Sequence, residues 1–221
     1  MVKRFDPALL PPQPNLDFEQ PLWAVGIHNV AGIDEAGRGS LAGPVAAAVV
    51  ILPARTGITR LLVGVRDSKQ MTAASRERWA QEIKTHSLAQ AVGFASAPEI
   101  DELGILPATH LAVKRALQLL SLSPQHLLCD YLAIPNYPCP QTSLIKGDAR
   151  SLSIAAASIL AKTARDALMR ELDVQYPGYG FAAHKGYGTR YHLQALTHLG
   201  PSPVHRLSFK PLSQPPHRLT P

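Results

Sequence analysis

Residues 30–52 decide the fold, and they read VAGIDEAGRGSLAGPVAAAVVIL. Residues 30–34 form a short apolar run that ends in Asp34. This pattern indicates a buried strand that places acidic side chains at the edge of a sheet. Residues 44–52 are rich in valine and small residues, which predicts a second strand. A glycine-rich turn between them lets Asp34 and Glu35 approach one ion, although neighbouring side chains on a strand point in different directions.

The remainder of the chain alternates between short apolar runs and helical periodicity. Residues 89–97, 126–130 and 143–145 predict three more strands. This order argues for an α/β fold in which helices cover a mixed sheet. Helices are predicted over residues 72–85, 98–103, 106–120, 151–173 and 190–199, the first with Thr72 as its N-cap and the last stopped by Gly200 and Pro201.

The two ends of the chain differ in composition from its middle. Residues 1–28 are rich in proline and aperiodic, so we expect an extension laid over or beside the main domain. Residues 29–174 carry the alternating pattern and form the predicted main domain. Residues 175–210 form a basic helical extension, and residues 211–221 form a proline-rich tail.

Positive charge is concentrated toward the C-terminal end. The 221-residue chain has a formal net charge of +6, and no Asp or Glu follows Asp173. A field of one sign suits a polyanion such as nucleic acid. A solvated basic tail gives the same composition, so charge alone leaves both interpretations open.

Composition and segment lengths indicate a soluble, cytoplasmic protein. Hydrophobic residues make up 46% of the chain, which is enough for a globular core. The N-terminus has no apolar signal segment, and the longest apolar run, residues 41–54, is too short to span a bilayer. Two isolated cysteines, Cys129 and Cys139, fit a reducing compartment.

Acidic residues from three distant segments are candidates for a metal site. Besides Asp34 and Glu35, Asp130 ends the fourth predicted strand and Asp148 precedes the long helix. Adjacent central strands bring their ends together, so these carboxylates could converge. Clustered carboxylates repel one another unless a cation such as Mg²⁺ or Mn²⁺ neutralises them. The alternatives are that Asp148 caps the helix and that Asp130 faces solvent.

A pair of such cations would suit phosphodiester chemistry. Two ions about 3.5–4 Å apart can activate a water and stabilise the leaving oxygen. The residues alone therefore favour a metal or phosphate site.

Several motifs resemble the ribonuclease HII family. Residues 31–45, AGIDEAGRGSLAGPV, look like the family's opening signature. The resemblance covers about residues 30–210 in the family's order, and its combination of blocks is highly specific. The later blocks are DSK at 67–69, KGD at 146–148, AAASILAKTARD at 155–166, HKGYGT at 184–189 and GPSPVHRLSF at 200–209.

The resemblance implies a ribonuclease H-like fold with a mixed five-stranded sheet flanked by helices and a helical C-terminal extension. Residues 29–174 would be the catalytic domain. The implied activity is an endonuclease that hydrolyses the RNA strand of RNA–DNA hybrids and nicks 5′ to ribonucleotides in duplex DNA. It would leave 5′-phosphate and 3′-hydroxyl ends and serve ribonucleotide excision during replication and repair. Asp34, Glu35, Asp130 and Asp148 would hold two Mg²⁺ or Mn²⁺ ions and form the catalytic centre.

The resemblance also implies substrate contacts. The turn of Gly37, Arg38 and Gly39 would recognise the ribose 2′-hydroxyl, and Tyr187 would stack on the deoxyribose that follows a ribonucleotide. The alternatives are an ordinary turn whose Arg38 pairs with a carboxylate, and a surface tyrosine that packs on proline or glycine. Candidate phosphate contacts are Lys69, Lys146, Lys162 and Lys185.

Two positions depart from the family pattern, and two other functions stay open. Ser40 stands where the family usually has proline, and Tyr131 follows Asp130 where a small residue is common. The rivals are a non-catalytic hybrid-binding protein and another nuclease of the same fold, such as a DDE-type integrase. We expect a monomer without a stable protein partner, because the sequence shows no long heptad repeat or exposed apolar stripe. The C-terminal tail shows no motif for binding a sliding clamp.

Overall fold

The computed structural model describes residue 6 and residues 10–213. Most of the predicted proline-rich tail therefore lies outside the described residues, as does the first part of the predicted N-terminal extension.

Five strands form one mixed sheet in the order β3-β2-β1-β4-β5. β1 pairs antiparallel with β2 and parallel with β4, and the outer pairs are antiparallel β2–β3 and parallel β4–β5. The expected mixed five-stranded sheet is confirmed. The strands are β1 Val30–Ala36, β2 Val45–Ile51, β3 Ala89–Ala95, β4 His126–Asp130 and β5 Gln141–Leu144.

Helices cover the sheet and extend beyond it toward the C-terminus. The predicted helices are all present, and Thr72 caps α3 by accepting a hydrogen bond from the Ser75 N–H at 3.2 Å. Short 3₁₀ turns lie at Ser68–Gln70 and Gly147–Ala149. The helices are α1 Glu19–Ala24, α2 Ile58–Leu61, α3 Ala73–His86, α4 Ala97–Leu103, α5 Ile105–Leu119, α6 Leu152–Gln175, α7 Phe181–His184 and α8 Arg190–Leu199.

β2 lies between two hydrophobic cores, which explains its continuous apolar sequence. All seven of its residues are buried. Val49 and the residues two positions away from it pack against α5. Val50 and the residues two positions away from it lie on the opposite face and pack against α6 and α3. A strand covered on both faces reads as an unbroken run of small and branched residues instead of an alternating pattern.

α6 lies unusually close to the centre of the sheet. A Cβ added at Gly32 of β1 would come within 2.1 Å of the Ser153 carbonyl carbon at the start of α6. The small side chains of Ala155 and Ala156 on the helix allow the same close approach. This contact fixes the start of α6, and the segment that precedes it, over the middle of β1.

Three strands differ from the prediction by two residues or more, and one of them is β3, which ends at Ala95 instead of residue 97. β1 continues to Ala36, so Asp34 and Glu35 lie inside the strand instead of at its end. The reason is that the antiparallel partner continues the ladder, with Asp34 opposite Ala48 and Ala36 opposite Ala46. β5 is polar and lies two residues earlier than predicted at its start, because its register follows β4 and not its own composition.

The N-terminal segment is more ordered than its aperiodic sequence indicates. α1 was not predicted, and Asn15 forms a parallel bridge with Ser151 next to α6. Glu19 on α1 is fully buried against the start of α6. The segment thus packs on the main domain beside the part of the chain that carries Asp148.

Candidate metal centre and nucleic-acid site

Three aspartates from three elements meet beside the central strands. Asp34 lies on β1, Asp130 is the last residue of β4, and Asp148 lies on the 3₁₀ turn before α6. One carboxylate oxygen from each lies within 4.8 Å of the others. β1 and β4 are parallel neighbours, and their register pairs Ile33 with Cys129. The next residues on the two strands, Asp34 and Asp130, therefore lie side by side.

Asp148 is brought to the pair by the turn that contains it. The Gly147 N–H donates to Asp130 Oδ1 at 2.7 Å, which couples the turn to the end of β4. The N-cap of α6 is Ser151, whose hydroxyl accepts from the Ile154 N–H at 3.3 Å. The alternative in which Asp148 caps the helix is therefore wrong, and its carboxylate is left to face the other two acids.

Burial and the charges of neighbouring acids raise the pKa values of Asp34 and Asp130. The Asp34 pKa is raised well above its usual range by burial and by the nearby charges of Glu35 and Asp130. Burial and the charge of Asp148 raise the pKa of Asp130 to about 6. Such a site favours protonation unless positive charge enters it.

The donor set fits a divalent cation. Three converging carboxylate oxygens are the hard ligands that Mg²⁺ and Mn²⁺ prefer. The Lys69 ammonium lies 3.6 Å from Asp148 and supplies part of the missing positive charge. Burial lowers the pKa of Lys69, but Asp148, Asp34, Asp67 and Asp130 together raise it.

Glu35 lies beside the three-aspartate group without belonging to it. Its Oε1 accepts from Arg38 at 3.0 Å, so the structure contains the ion pair that the alternative interpretation of the turn describes. Its charge still acts on Asp34 and on Asp130, which places it close to the centre. The structure thus brings together three of the four predicted carboxylates and sets the fourth at the edge.

A buried arginine holds the glycine-rich turn from behind. Arg206 is fully buried and donates to the carbonyls of Gly37 at 2.8 Å and Arg38 at 2.9 Å. It also donates to Gly43 at 2.8 and 3.0 Å, so one guanidinium fixes both ends of the loop between β1 and β2. Burial, together with the nearby charge of Arg165, lowers the Arg206 pKa to about 9.

A second buried arginine links this turn to the segment that contains Tyr187. Arg165 on α6 donates to the carbonyls of Pro44 at 2.9 Å, Ala42 at 3.1 Å and Lys185 at 2.9 Å. Gly37 has φ of +89°, and a Cβ there would lie 1.9 Å from Arg165 Nε, so only glycine fits. Sequence analysis assigned no role to Arg165 or Arg206. The signal for Arg165 was a charged residue within the small-residue pattern of α6.

Tyr187 is partly exposed beside two cations. The residue is 39% exposed. The Lys162 ammonium and the Arg165 guanidinium each lie 5.8 Å from the ring centroid.

Two buried histidines hold the Tyr187 backbone in place. The Ser202 N–H donates to His205 Nδ1 at 2.9 Å, so that nitrogen carries no proton in this arrangement. Neutral His205 then donates from Nε2 to His192 Nε2 at 3.0 Å, and His192 donates from Nδ1 to the Tyr187 carbonyl at 3.0 Å. Burial lowers the pKa of both rings, that of His205 to about 4, which keeps the chain of hydrogen bonds neutral.

The chain matches known proteins over nearly its whole length. A family model for ribonuclease HII matches residues 31–212. The ribonuclease HII of Desulfitobacterium hafniense strain Y51 is 55% identical over 196 residues, which cover 89% of this chain and 74% of that protein. The chain belongs to the ribonuclease HII family.

Further relatives agree with this assignment. The ribonuclease HII of Thermus thermophilus is 52% identical over 201 residues, covering 91% of this chain and 95% of that protein. The crystal structure of ribonuclease H2 from Pyrococcus horikoshii OT3 is similar with a TM-score of 0.69 at 28% identity, covering 84% of this chain and 95% of that chain. The expected ribonuclease H-like fold with a helical C-terminal region is confirmed.

Membership in the ribonuclease HII family makes the chain an endoribonuclease of the ribonuclease H class. The rival functions, a non-catalytic hybrid-binding protein and a DDE-type integrase, are not favoured. Among the described residues, no helix has both the length and the apolar character needed to cross a membrane. The cytoplasmic location and the monomeric state stay predictions.

The lysines expected to contact phosphates lie at different distances from the centre. Lys69 faces Asp148, and Lys162 pairs with Asp166 at 2.7 Å. The Lys185 ammonium donates to the Ala182 carbonyl, and burial lowers its pKa. Lys146 has φ of +54° directly before the turn that carries Asp148. Of these four lysines, Lys69 is the one with an ion pair to the acidic cluster among the described residues.

Proposed function

We propose that this endoribonuclease cuts the RNA strand of RNA–DNA hybrids and nicks duplex DNA on the 5′ side of embedded ribonucleotides, leaving 5′-phosphate and 3′-hydroxyl ends. The observation that carries the proposal is the convergence of Asp34, Asp130 and Asp148 within 4.8 Å. In a member of the ribonuclease HII family, such a buried acidic group has a direct use in phosphodiester hydrolysis.

The acidic cluster would hold Mg²⁺ or Mn²⁺. Asp34, Asp130 and Asp148 are the proposed ligands, and Glu35 supplies a fourth carboxylate at the edge while it orients Arg38. When bound, a pair of such cations activates the attacking water and neutralises charge on the leaving 3′ oxygen. The Gly147 N–H keeps Asp130 oriented, so the ligand positions exist before the substrate arrives.

The glycine-rich turn is the proposed reader of the ribose. Arg206 engages the carbonyls of Gly37 and Arg38 from the interior. The N–H groups of Arg38 and Gly39 make no hydrogen bond among the described residues, and a Cβ at Gly39 would meet open space. Free donors on an accessible turn suit the oxygen of a 2′-hydroxyl, which distinguishes RNA from DNA.

Tyr187 is the proposed contact to the next sugar. Its residue is partly exposed. The hydrogen bonds from His192 to the Tyr187 carbonyl and from Arg165 to the Lys185 carbonyl hold its segment beside the glycine-rich turn. Because the Tyr187 ring is held at a fixed distance from the turn that would bind the 2′-hydroxyl, it can select a deoxyribose that follows a ribonucleotide. This arrangement would favour RNA-to-DNA junctions.

A duplex that contains one ribonucleotide tests the proposal. We expect a single nick 5′ to the ribonucleotide that requires Mg²⁺ or Mn²⁺, with end-group mapping that shows 5′-phosphate and 3′-hydroxyl. Asp34→Asn should lower the cleavage rate by more than about 100-fold, because a direct metal ligand matters more than an outer contact. Exposed Asp17→Asn makes the same chemical change away from the cluster and should cut normally.

Two results would contradict the proposal. Cutting of a matched all-DNA duplex at a similar rate would remove the ribonucleotide specificity. Wild-type activity in Asp34→Asn would show that the reaction occurs elsewhere on the protein.

A further inference from the structure

A basic cleft lies beside Tyr187, and its lining residues do not include the three clustered aspartates. It has a volume of about 370 Å³ and is bordered by α3, α6 and α7. Six charged side chains line it. They are the cations Arg76, Lys162, Arg170 and Lys185, and the acids Glu77 and Asp166.

The two acids hold the cations in fixed positions. Asp166 is buried and accepts from Arg76 at 3.1 Å and from Lys162 at 2.7 Å. Glu77 pairs with Arg170 at 3.1 Å. Four cations against two acids leave two uncompensated positive charges in the cleft. A cleft of this kind is prepared for an anion, because the cations are oriented before it arrives.

The position of the cleft relative to the acidic cluster follows from α6. Ser158 lies near enough to Asp34 to act on its pKa, and Lys162, Asp166 and Arg170 follow along α6 at successive intervals of four residues. At about 1.5 Å per residue, Lys162 lies about 6 Å along the axis from Ser158, and Arg170 lies about 18 Å. A nucleic-acid strand rises about 3.4 Å per nucleotide, so the row spans about two to five nucleotides.

We propose that this cleft binds the sugar–phosphate backbone of the DNA that follows an embedded ribonucleotide on its 3′ side, about two to five nucleotides beyond it. The proposal rests on the proposed function, because Tyr187, assigned there to the first deoxyribose, also borders the cleft. Contacts to phosphates carry no base specificity, so the cleft supplies affinity and alignment for any sequence.

The test varies the length of DNA on one side of the cut. Duplexes carry one ribonucleotide, a constant 5′ side, and 1, 2, 4, 6 or 8 deoxynucleotides on the 3′ side; the dissociation constant is measured by fluorescence anisotropy in EDTA, and KM is measured in Mg²⁺. We expect both constants to fall roughly tenfold as the extension reaches the cleft, the effect of a charged hydrogen bond or two. In Arg170→Ala the part of this fall that appears at the longer extensions, where the strand reaches Arg170, should disappear.

A neighbouring arginine is the matched control. Arg78 is exposed on α3 and lies over the Trp79 ring, outside the cleft lining. Arg78→Ala should keep the full length dependence. A second series with constant 3′ DNA and varied 5′ length should respond to neither variant.

The outcomes separate this proposal from the proposed function. Length-independent binding by the wild type, equal behaviour of the two variants, or a loss confined to the 5′ series would overturn the assignment of the cleft. Binding to none of the duplexes would overturn it as well. Normal length-dependent binding without any cleavage at the ribonucleotide would instead leave the cleft in place and contradict the proposed function.

Discussion

Among single residues, Asp130 shows the energetic cost of assembling the acidic cluster. Its carboxyl stands next to Asp148 and accepts from Gly147, and burial with the charge of Asp148 raises its pKa to about 6. An aspartate of this kind stabilises the fold below its unfolded pKa, near 3.8, and loses that contribution as pH rises through about 6. At neutral pH the ionised carboxylate therefore destabilises the metal-free protein, and cation binding reverses the effect.

Asp130→Asn should consequently stabilise the metal-free protein. At pH 7.5 in EDTA we expect the free energy of unfolding to rise by about 2 kcal/mol, because a pKa difference of one unit corresponds to about 1.4 kcal/mol and part of the effect is shared with Asp148. The gain should shrink toward pH 5, where the wild-type carboxyl is protonated. Denaturant unfolding at both pH values measures this.

Metal dependence provides the control for this substitution. Mg²⁺ should raise the midpoint of thermal unfolding of the wild type and of Asp17→Asn, but it should have much less effect on Asp130→Asn. A variant less stable than the wild type at pH 7.5 in EDTA would show that Asp130 does not carry the repulsion described.

At the scale of elements, the junction between α1 and α6 supports the turn that carries Asp148. Glu19 Oε1 accepts from the Ser151 hydroxyl at 2.6 Å and from the Ser153 N–H at 3.0 Å and hydroxyl at 2.6 Å. Burial raises the Glu19 pKa, although these hydrogen bonds lower it in part. Ser151 is the N-cap of α6 and lies three residues after Asp148. The Glu19 carboxyl therefore anchors the start of the helix next to the proposed metal centre.

Glu19→Ala should destabilise the protein by about 2–3 kcal/mol, because it leaves several buried donors at the start of α6 without an acceptor. The free energy of unfolding in urea is the measurement. Glu82→Ala is the control, since the Glu82 side chain is 44% exposed and forms a surface pair with His86 at 3.5 Å. Equal stabilities of the two variants would mean that α1 does not brace α6.

At the scale of the whole molecule, charge distribution controls how the protein meets its substrate. The net charge is +6, no acidic residue follows Asp173, and four cations line the cleft beside Tyr187. Every phosphate neutralised by the protein releases counterions from the duplex. The logarithm of the binding constant therefore falls linearly with the logarithm of the salt concentration. Salt should therefore act on KM, whereas kcat at saturating substrate should change little.

The salt slope can be assigned to individual lysines. Lys146→Gln should reduce the slope of log KM against log salt by about 1, the value expected for one lost phosphate contact. Lys84→Gln, at an exposed position near the end of α3, should leave the slope unchanged. A slope for Lys146→Gln equal to that of Lys84→Gln would remove Lys146 from the proposed phosphate contacts.

The sequence alone was sufficient for the fold class, the family and most of the elements. The buried strands, the helix beginning at Thr72 and the final helix follow from local residue types, because side-chain periodicity and capping groups act over a few neighbouring residues. The short helix α1 did not follow from its sequence. A six-residue helix is marginal by itself and forms here because it packs on α6 and the sheet.

Tertiary structure alone decided how the chemical groups meet. Asp34 and Asp130 are neighbours because β4 pairs with β1, and Asp148 joins them because Gly147 bonds to Asp130 and Ser151 takes over the capping of α6. Arginine is usually a surface residue, yet Arg165 and Arg206 are completely buried. Backbone carbonyls of a loop distant in sequence accept their hydrogen bonds. Residue types determined which groups were available. Their distances were set by pairings between segments about 100 residues apart, and no local pattern encodes such pairings.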